Sequence, residues 1–102
     1  MNADDIILVT HADTDAGFLL ARGLLSAGHR VVVTAHHPAS LSRILLGQRA
    51  NRVIAIAADM EDRDQRISVL RRARARFGSP VTQVRDGQDP ESCHGVPLQI
   101  AS

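Results

Sequence analysis

The sequence predicts an α/β domain: a parallel sheet of three to four strands with helices on both faces. Three observations predict it. Short apolar, β-branched runs recur at residues 6–10, 30–35 and 52–58. Stretches with apolar residues at helical spacing lie between and after them. Glycine and proline punctuate the joins. Strands alternating with helices imply parallel pairing through right-handed crossovers.

The run Ile6-Ile7-Leu8-Val9-Thr10 follows a polar start and reads as a buried parallel strand. Residues 14–27 carry Phe18, Leu19, Leu20, Leu24 and Leu25 on one side of a helix, with Gly28 as its stop. Residues 30–35 are β-branched and form the second strand. His37-Pro38 breaks the chain, and Ser40 is the expected N-cap of a short helix through Leu46, ended by Gly47. Residues 52–58 form the third strand. Asp62 caps the next helix, and Gln65 completes an Asp-x-x-Gln box. Ile67, Leu70, Ala73 and Phe77 give that helix an apolar stripe, and Gly78 and Pro80 end it. Residues 81–85 alternate and suggest a fourth strand. The division read from this pattern is a domain over residues 1–85 and an irregular tail over residues 86–102.

Composition narrows the function classes. Aromatic residues are 2% of the chain, both of them Phe, so the core must be aliphatic. The net charge of +1 gives no excess pointing to nucleic acid or a membrane surface. No apolar run approaches the ~20 residues of a membrane span. The start, Met-Asn-Ala-Asp-Asp, lacks the basic region of a signal peptide, and the single cysteine, Cys93, fits a reducing cytoplasm. All 12 basic residues of the Lys+Arg total are arginine, so lysine is absent, as is tyrosine. That excludes Schiff-base chemistry, a P-loop lysine and a phenolic acid. It also removes a phosphoacceptor reading of Asp59, which needs a lysine partner. Cys93-His94 has no Cys-x-x-Cys beside it, so no metal ligands and no catalytic residues are assigned.

The turn after the first strand is Thr10-His11-Ala12-Asp13-Thr14-Asp15-Ala16-Gly17. It resembles the Thr-Gly-x-x-x-Gly-x-Gly turn of short-chain dehydrogenases/reductases. Thr10, the spacing and Gly17 match, while His11 and Asp15 replace the first two glycines. The similarity runs on through Val31-Val32-Val33-Thr34-Ala35, Ala58-Asp59-Met60 and Arg76-Phe77-Gly78, and covers about residues 5 to 80. It implies a truncated Rossmann-like fold and a nucleotide-binding edge built from Thr10, His11, Asp13, Asp15, Gly17, His36, His37, Asp59 and Met60. In that family Asp59's position contacts adenine, and the His36-His37 position chooses between NAD and NADP, either of which is the implied cofactor if one is bound. The family's catalysis resembles Ser with Tyr-x-x-x-Lys, which this sequence does not contain. Nor does it contain the Asn-Asn-Ala-Gly segment expected after the fourth strand.

In a dinucleotide fold the first glycine permits the tight turn, the second lets backbone approach the pyrophosphate, and the third allows close helix–strand packing. Gly17 keeps the packing role. Asp15, with Asp13 nearby, puts negative charge where two phosphates would lie. One like-charge contact at ~4 Å costs about 4 kcal/mol at an effective dielectric near 20. The plainer reading is that both acids stabilise an exposed helix start. Asp59 likewise reads as a strand-end turn residue, and His36 and His37 as a solvated strand end. The leading expectation is therefore a non-catalytic binding or assembly subunit. The alternative is the NAD(P)-binding half of an oxidoreductase completed by a partner chain. The fourth strand is short and carries Thr82, Gln83 and Arg85, so Ile6–Val9 is expected to present an open edge that invites a homodimer or another protein. The opposing outcome is that residues 81–102 fold back over that edge.

Overall fold

The computed structural model describes residues 5–49, 51–87 and 89–95, the last stretch through its backbone alone. Its elements are β1 (Ile6–Thr10), α1 (Asp15–Ser26), β2 (Arg30–Ala35), a 3-10 turn (Pro38–Leu41), α2 (Ser42–Leu45), β3 (Val53–Ala57), α3 (Arg63–Phe77), β4 (Gln83–Asp86) and β5 (Asp89–Gly95). The strands form one sheet in the order β3-β2-β1-β4-β5. Four strands run parallel, and β5 pairs antiparallel with β4. This is the Rossmann-like α/β fold that the strand–helix alternation predicts.

Two apolar layers hold the sheet. On one face Ile7, Val9, Val31, Val33 and Val53 pack on Ala21, Leu24 and Leu25 of α1 and on Leu41 and Ile44. On the other, Ile6, Leu8, Val32 and Ile56 pack on Val69 and Ala73 of α3. All five residues of β1 are buried, as a central parallel strand covered on both faces requires.

The helix ends follow local chemistry. Thr14 caps α1: its hydroxyl oxygen accepts from the Gly17 N–H at 2.9 Å. Gly28, at φ 96, turns the chain out of α1, with its N–H donating to the Leu25 carbonyl. Asp62 caps α3 by accepting from the Asp64 and Gln65 N–H groups at 2.9 and 3.2 Å. The capping box closes differently from its sequence pattern, because the Gln65 side chain accepts from the Asp59 N–H at 2.6 Å.

Four further differences are structural. Ser40 lies inside the 3-10 turn, and α2 starts after Leu41 with no side-chain cap, because Pro38 begins the turn earlier. The buried stripe of α3 runs through Val69 and Ala73, while Ile67 is only half-buried on the outer flank. Residues 89–95, read from sequence as irregular tail, form β5; residues 96–102 lie outside the described residues. Finally, β1 is no open edge. Ile7 to Thr10 pair with Gln83 to Asp86, and Gln83, Val84 and Arg85 pair in turn with Gly95, His94 and Cys93. The segment after residue 81 does fold back over the first strand, with Thr82 accepting at its hydroxyl from the Ile6 N–H and donating its own N–H to the Ile6 carbonyl.

Candidate functional site

The parallel strands end together, so the turns after β1, β2, β3 and β4 meet at one edge of the sheet. In open α/β sheets this is where ligands bind. The first turn is built from the backbone upward. Ala12 N–H donates to the Thr34 carbonyl at 3.0 Å, which pulls the chain across the top of β2. The reversal falls at His11, at φ 51, the left-handed region that favours glycine. His11 takes it up with its ring beside β4: Nδ1 lies 2.9 Å from Asp86 Oδ1 at the end of that strand.

Gly17 and Gly87 explain how closely these segments approach. A Cβ on Gly17 would lie 2.5 Å from the His11 carbonyl oxygen and 2.9 Å from the Ala12 Cα. A Cβ on Gly87 would lie 2.4 Å from the same oxygen and 2.8 Å from the Gly17 Cα. Gly87 also donates its N–H to the Thr10 carbonyl at 2.7 Å, and its own carbonyl accepts from the Thr14 hydroxyl at 3.2 Å. The turn after β4 is therefore packed down onto the turn after β1.

The two acids of the turn face outward. Asp15 begins α1, with its side chain 93% exposed, and pairs at 3.1 Å with Arg43 of α2. The Arg43 guanidinium also lies over the Phe18 ring, 4.3 Å from its centroid. Asp13 is exposed and lines an open groove of about 480 Å³ with Ala39, Ser42, Arg43 and Leu46.

The other predicted residues divide. Thr10, His11, His36, Asp59 and Met60 come together around one crevice. It holds about 20 Å³, room for little more than a single water. His36 Nε2 stands 3.6 Å from Asp59 Oδ1 across its mouth. His37 lines neither cavity; it is exposed and leads into the 3-10 turn. Sequence reasoning missed Arg43, Asp86 and Gly87. The Asp86-Gly87 dipeptide after an alternating run was the available signal; Arg43 had none, since its role depends on how α2 lies against α1.

No family model matches the sequence, and no curated protein matches it. Solved structures do. A short-chain dehydrogenase from Streptomyces avermitilis is 27% identical with a TM-score of 0.69; the match covers 79% of this chain and 29% of that one. A short-chain dehydrogenase/reductase family oxidoreductase from Aeromonas hydrophila is 30% identical with a TM-score of 0.68, covering 80% and 38%. A 3-ketoacyl-(acyl-carrier-protein) reductase from Brucella melitensis, complexed with NADH, shares the fold at 23% identity and a TM-score of 0.70, covering 81% and 34%. The chain thus spans about a third of the length of these structures. The resemblance read from the turn and strand ends is borne out: over most of its length the chain is similar to the Rossmann part of short-chain dehydrogenases/reductases.

Proposed function

From a chain similar to one part of a dehydrogenase, we propose a non-catalytic, Rossmann-like accessory domain that works by binding or assembly. The observation that carries this reading is the closure of the first turn upon its own side chains. The helix start that would meet an anion already carries Asp15, and Asp15 already has its cation in Arg43. His11 occupies the left-handed position and is tied to Asp86. The crevice beside Asp59 has no room for a purine ring without moving His36. The composition agrees, since the 102 residues include no tyrosine and no lysine. A protein partner or a second copy is the natural target of such a domain, and the lone cysteine fits a reducing cytoplasm. Among the described residues no helix is long and apolar enough to cross a membrane.

A second reading keeps the nucleotide. The backbone of the turn has a positive φ at His11 and a close approach at Gly17, two features that glycines serve in a dinucleotide-binding turn. One structural neighbour carries NADH and another NADP. On this reading the chain supplies part of a cofactor site that a partner completes. Calorimetric titration with NADH and NADPH separates the two. The accessory reading expects no saturable heat up to about 1 mM cofactor, while a dissociation constant near 1 μM establishes the second.

A further inference from the structure

We propose that the outer edge of β3 is a self-association surface, on which a second copy of this chain adds its own β3 in antiparallel order. The inference rests on the assembly reading above and gives it a surface. It starts from the phase of the β2–β3 ladder. Val31 N–H donates to the Arg52 carbonyl at 2.9 Å, and Ala58 N–H donates to the Ala35 carbonyl at 2.9 Å. With Val31, Val33 and Ala35 paired to Val53, Ala55 and Ala57, the even-numbered residues of β3 spend their backbone groups on β2. The N–H and C=O groups of Val53, Ala55 and Ala57 face the other way. Among the described residues β3 is the last strand of the sheet on that side.

Sheets normally blunt such an edge with charge, proline or a bulge. Val-Ile-Ala-Ile-Ala has no charge and no proline, and its register to β2 is unbroken. A groove of about 690 Å³ runs along it between Leu45 and Gln48 on one side and Arg72, Ala75 and Arg76 on the other. Leu45, in the wall of this groove, is 39% exposed.

Charge selects the occupant. Glu61, Asp62 and Asp64 stand just past the C-terminal end of β3, where Arg63 and Arg66 leave one acid in excess. Arg72 and Arg76 of α3, which runs back along the sheet, stand beside β3 itself. Asp64 and Arg72 also share one flank of α3, lining a second groove of about 520 Å³ with Ile67, Ser68 and Arg71. The edge is therefore acidic at one end and basic toward the other. A two-fold axis that sets two such edges antiparallel lays each acidic end beside the partner copy's basic end, an arrangement that is self-complementary.

Sedimentation of the full chain across a dilution series tests the proposal. The native chain is expected to dimerise. Ala55→Pro removes an edge-facing N–H without touching the β2 ladder, and is expected to give a monomer with a folded circular dichroism spectrum. Arg72→Glu is expected to weaken the dimer about tenfold, and Asp64→Arg added to it to restore it. Should the proline variant fail to fold, the charge pair decides alone. A native chain that stays monomeric overturns the proposal. So does a dimer that neither Ala55→Pro nor Arg72→Glu disturbs, although assembly through another surface then survives. Saturable cofactor binding would instead overturn the accessory reading and leave the edge standing.

Discussion

At the scale of single residues, the first turn shows two ways of meeting one constraint. Where the backbone must turn left-handed, a non-glycine residue costs about 1–2 kcal/mol, and His11 carries that strain. Its contact with Asp86 holds the ring but is about one-third exposed on both sides, so it offsets little. His11→Gly together with Asp15→Gly should relieve the strain, remove the charge at the helix start and release Arg43. The expected outcome is dinucleotide affinity raised by roughly 5- to 10-fold over the native chain, from about 1 kcal/mol of removed repulsion at an exposed site. Calorimetry on both proteins checks it, and equal affinities would show that these side chains do not gate the turn. Gly87 gives the opposite prediction. Its Cβ would meet three backbone atoms of the first turn within 2.8 Å, none of which can swing aside as a side chain would. Gly87→Ala should lower stability by about 2 kcal/mol or more in urea denaturation. These residues were unevenly legible. Gly17 and Asp15 stand at fixed spacing after a strand, and the resemblance to the short-chain dehydrogenase/reductase turn is what singled them out. Asp86 and Gly87 act on residues more than 70 positions away, and only the pairing of β4 with β1 brings them there.

At the scale of elements, β1, β2, β3 and α1 were readable because their patterns are unambiguous. Residues 30–35 are β-branched throughout the centre, and α1 carries apolar residues at helical spacing up to a glycine stop. The tail was not readable for a physical reason. Asp89–Gly95 contains proline, glycine and charge, and no local preference marks it as a strand; it pairs because β4 offers an edge to cover. The phase of α3 was legible in most of its stripe. Leu70, Ala73 and Phe77 of the stripe read from sequence do pack on the core, and Ile67 alone falls outside it. The structure adds Val69, which is 1% exposed against Leu8, Val32 and Ile56. Val69→Ala should therefore cost about 2 kcal/mol, whereas Ile67→Ala should cost under about 1 kcal/mol. Thermal denaturation of the two variants checks this, and equal losses would place the buried stripe elsewhere.

At the scale of the whole molecule, the question is whether these 102 residues perform the reaction of the proteins they are similar to. Hydride transfer to a carbonyl needs a proton donor within about 3 Å of the oxygen and a cofactor held against the substrate. The family's resemblance assigns the donor role to tyrosine and its support to lysine, and this chain contains neither. The titratable groups at the edge where the strands end include His11, His36, His37, Asp13, Asp15, Asp59, Glu61 and Asp86. His11 and His36 face Asp86 and Asp59, so the best proton carriers are turned toward their own carboxylates rather than toward an open cavity. The crevice they surround takes about one water. Of the larger grooves, two lie along β3 and the outer flank of α3, and the third, about 480 Å³ beside the first turn, carries the Asp13 carboxylate and Arg43 in its wall. Nor does a second copy paired through β3 repair this, because that edge is the far side of the sheet from β4 and the Asp86-Gly87 turn. The homogeneous chain should accordingly show no turnover with NADH or NADPH and any small ketone or aldehyde. The absorbance of reduced nicotinamide is the measurement. Sustained, protein-dependent loss of that absorbance would mean that a histidine serves as the acid after all, and His11→Gly and His36→Ala would then show which one.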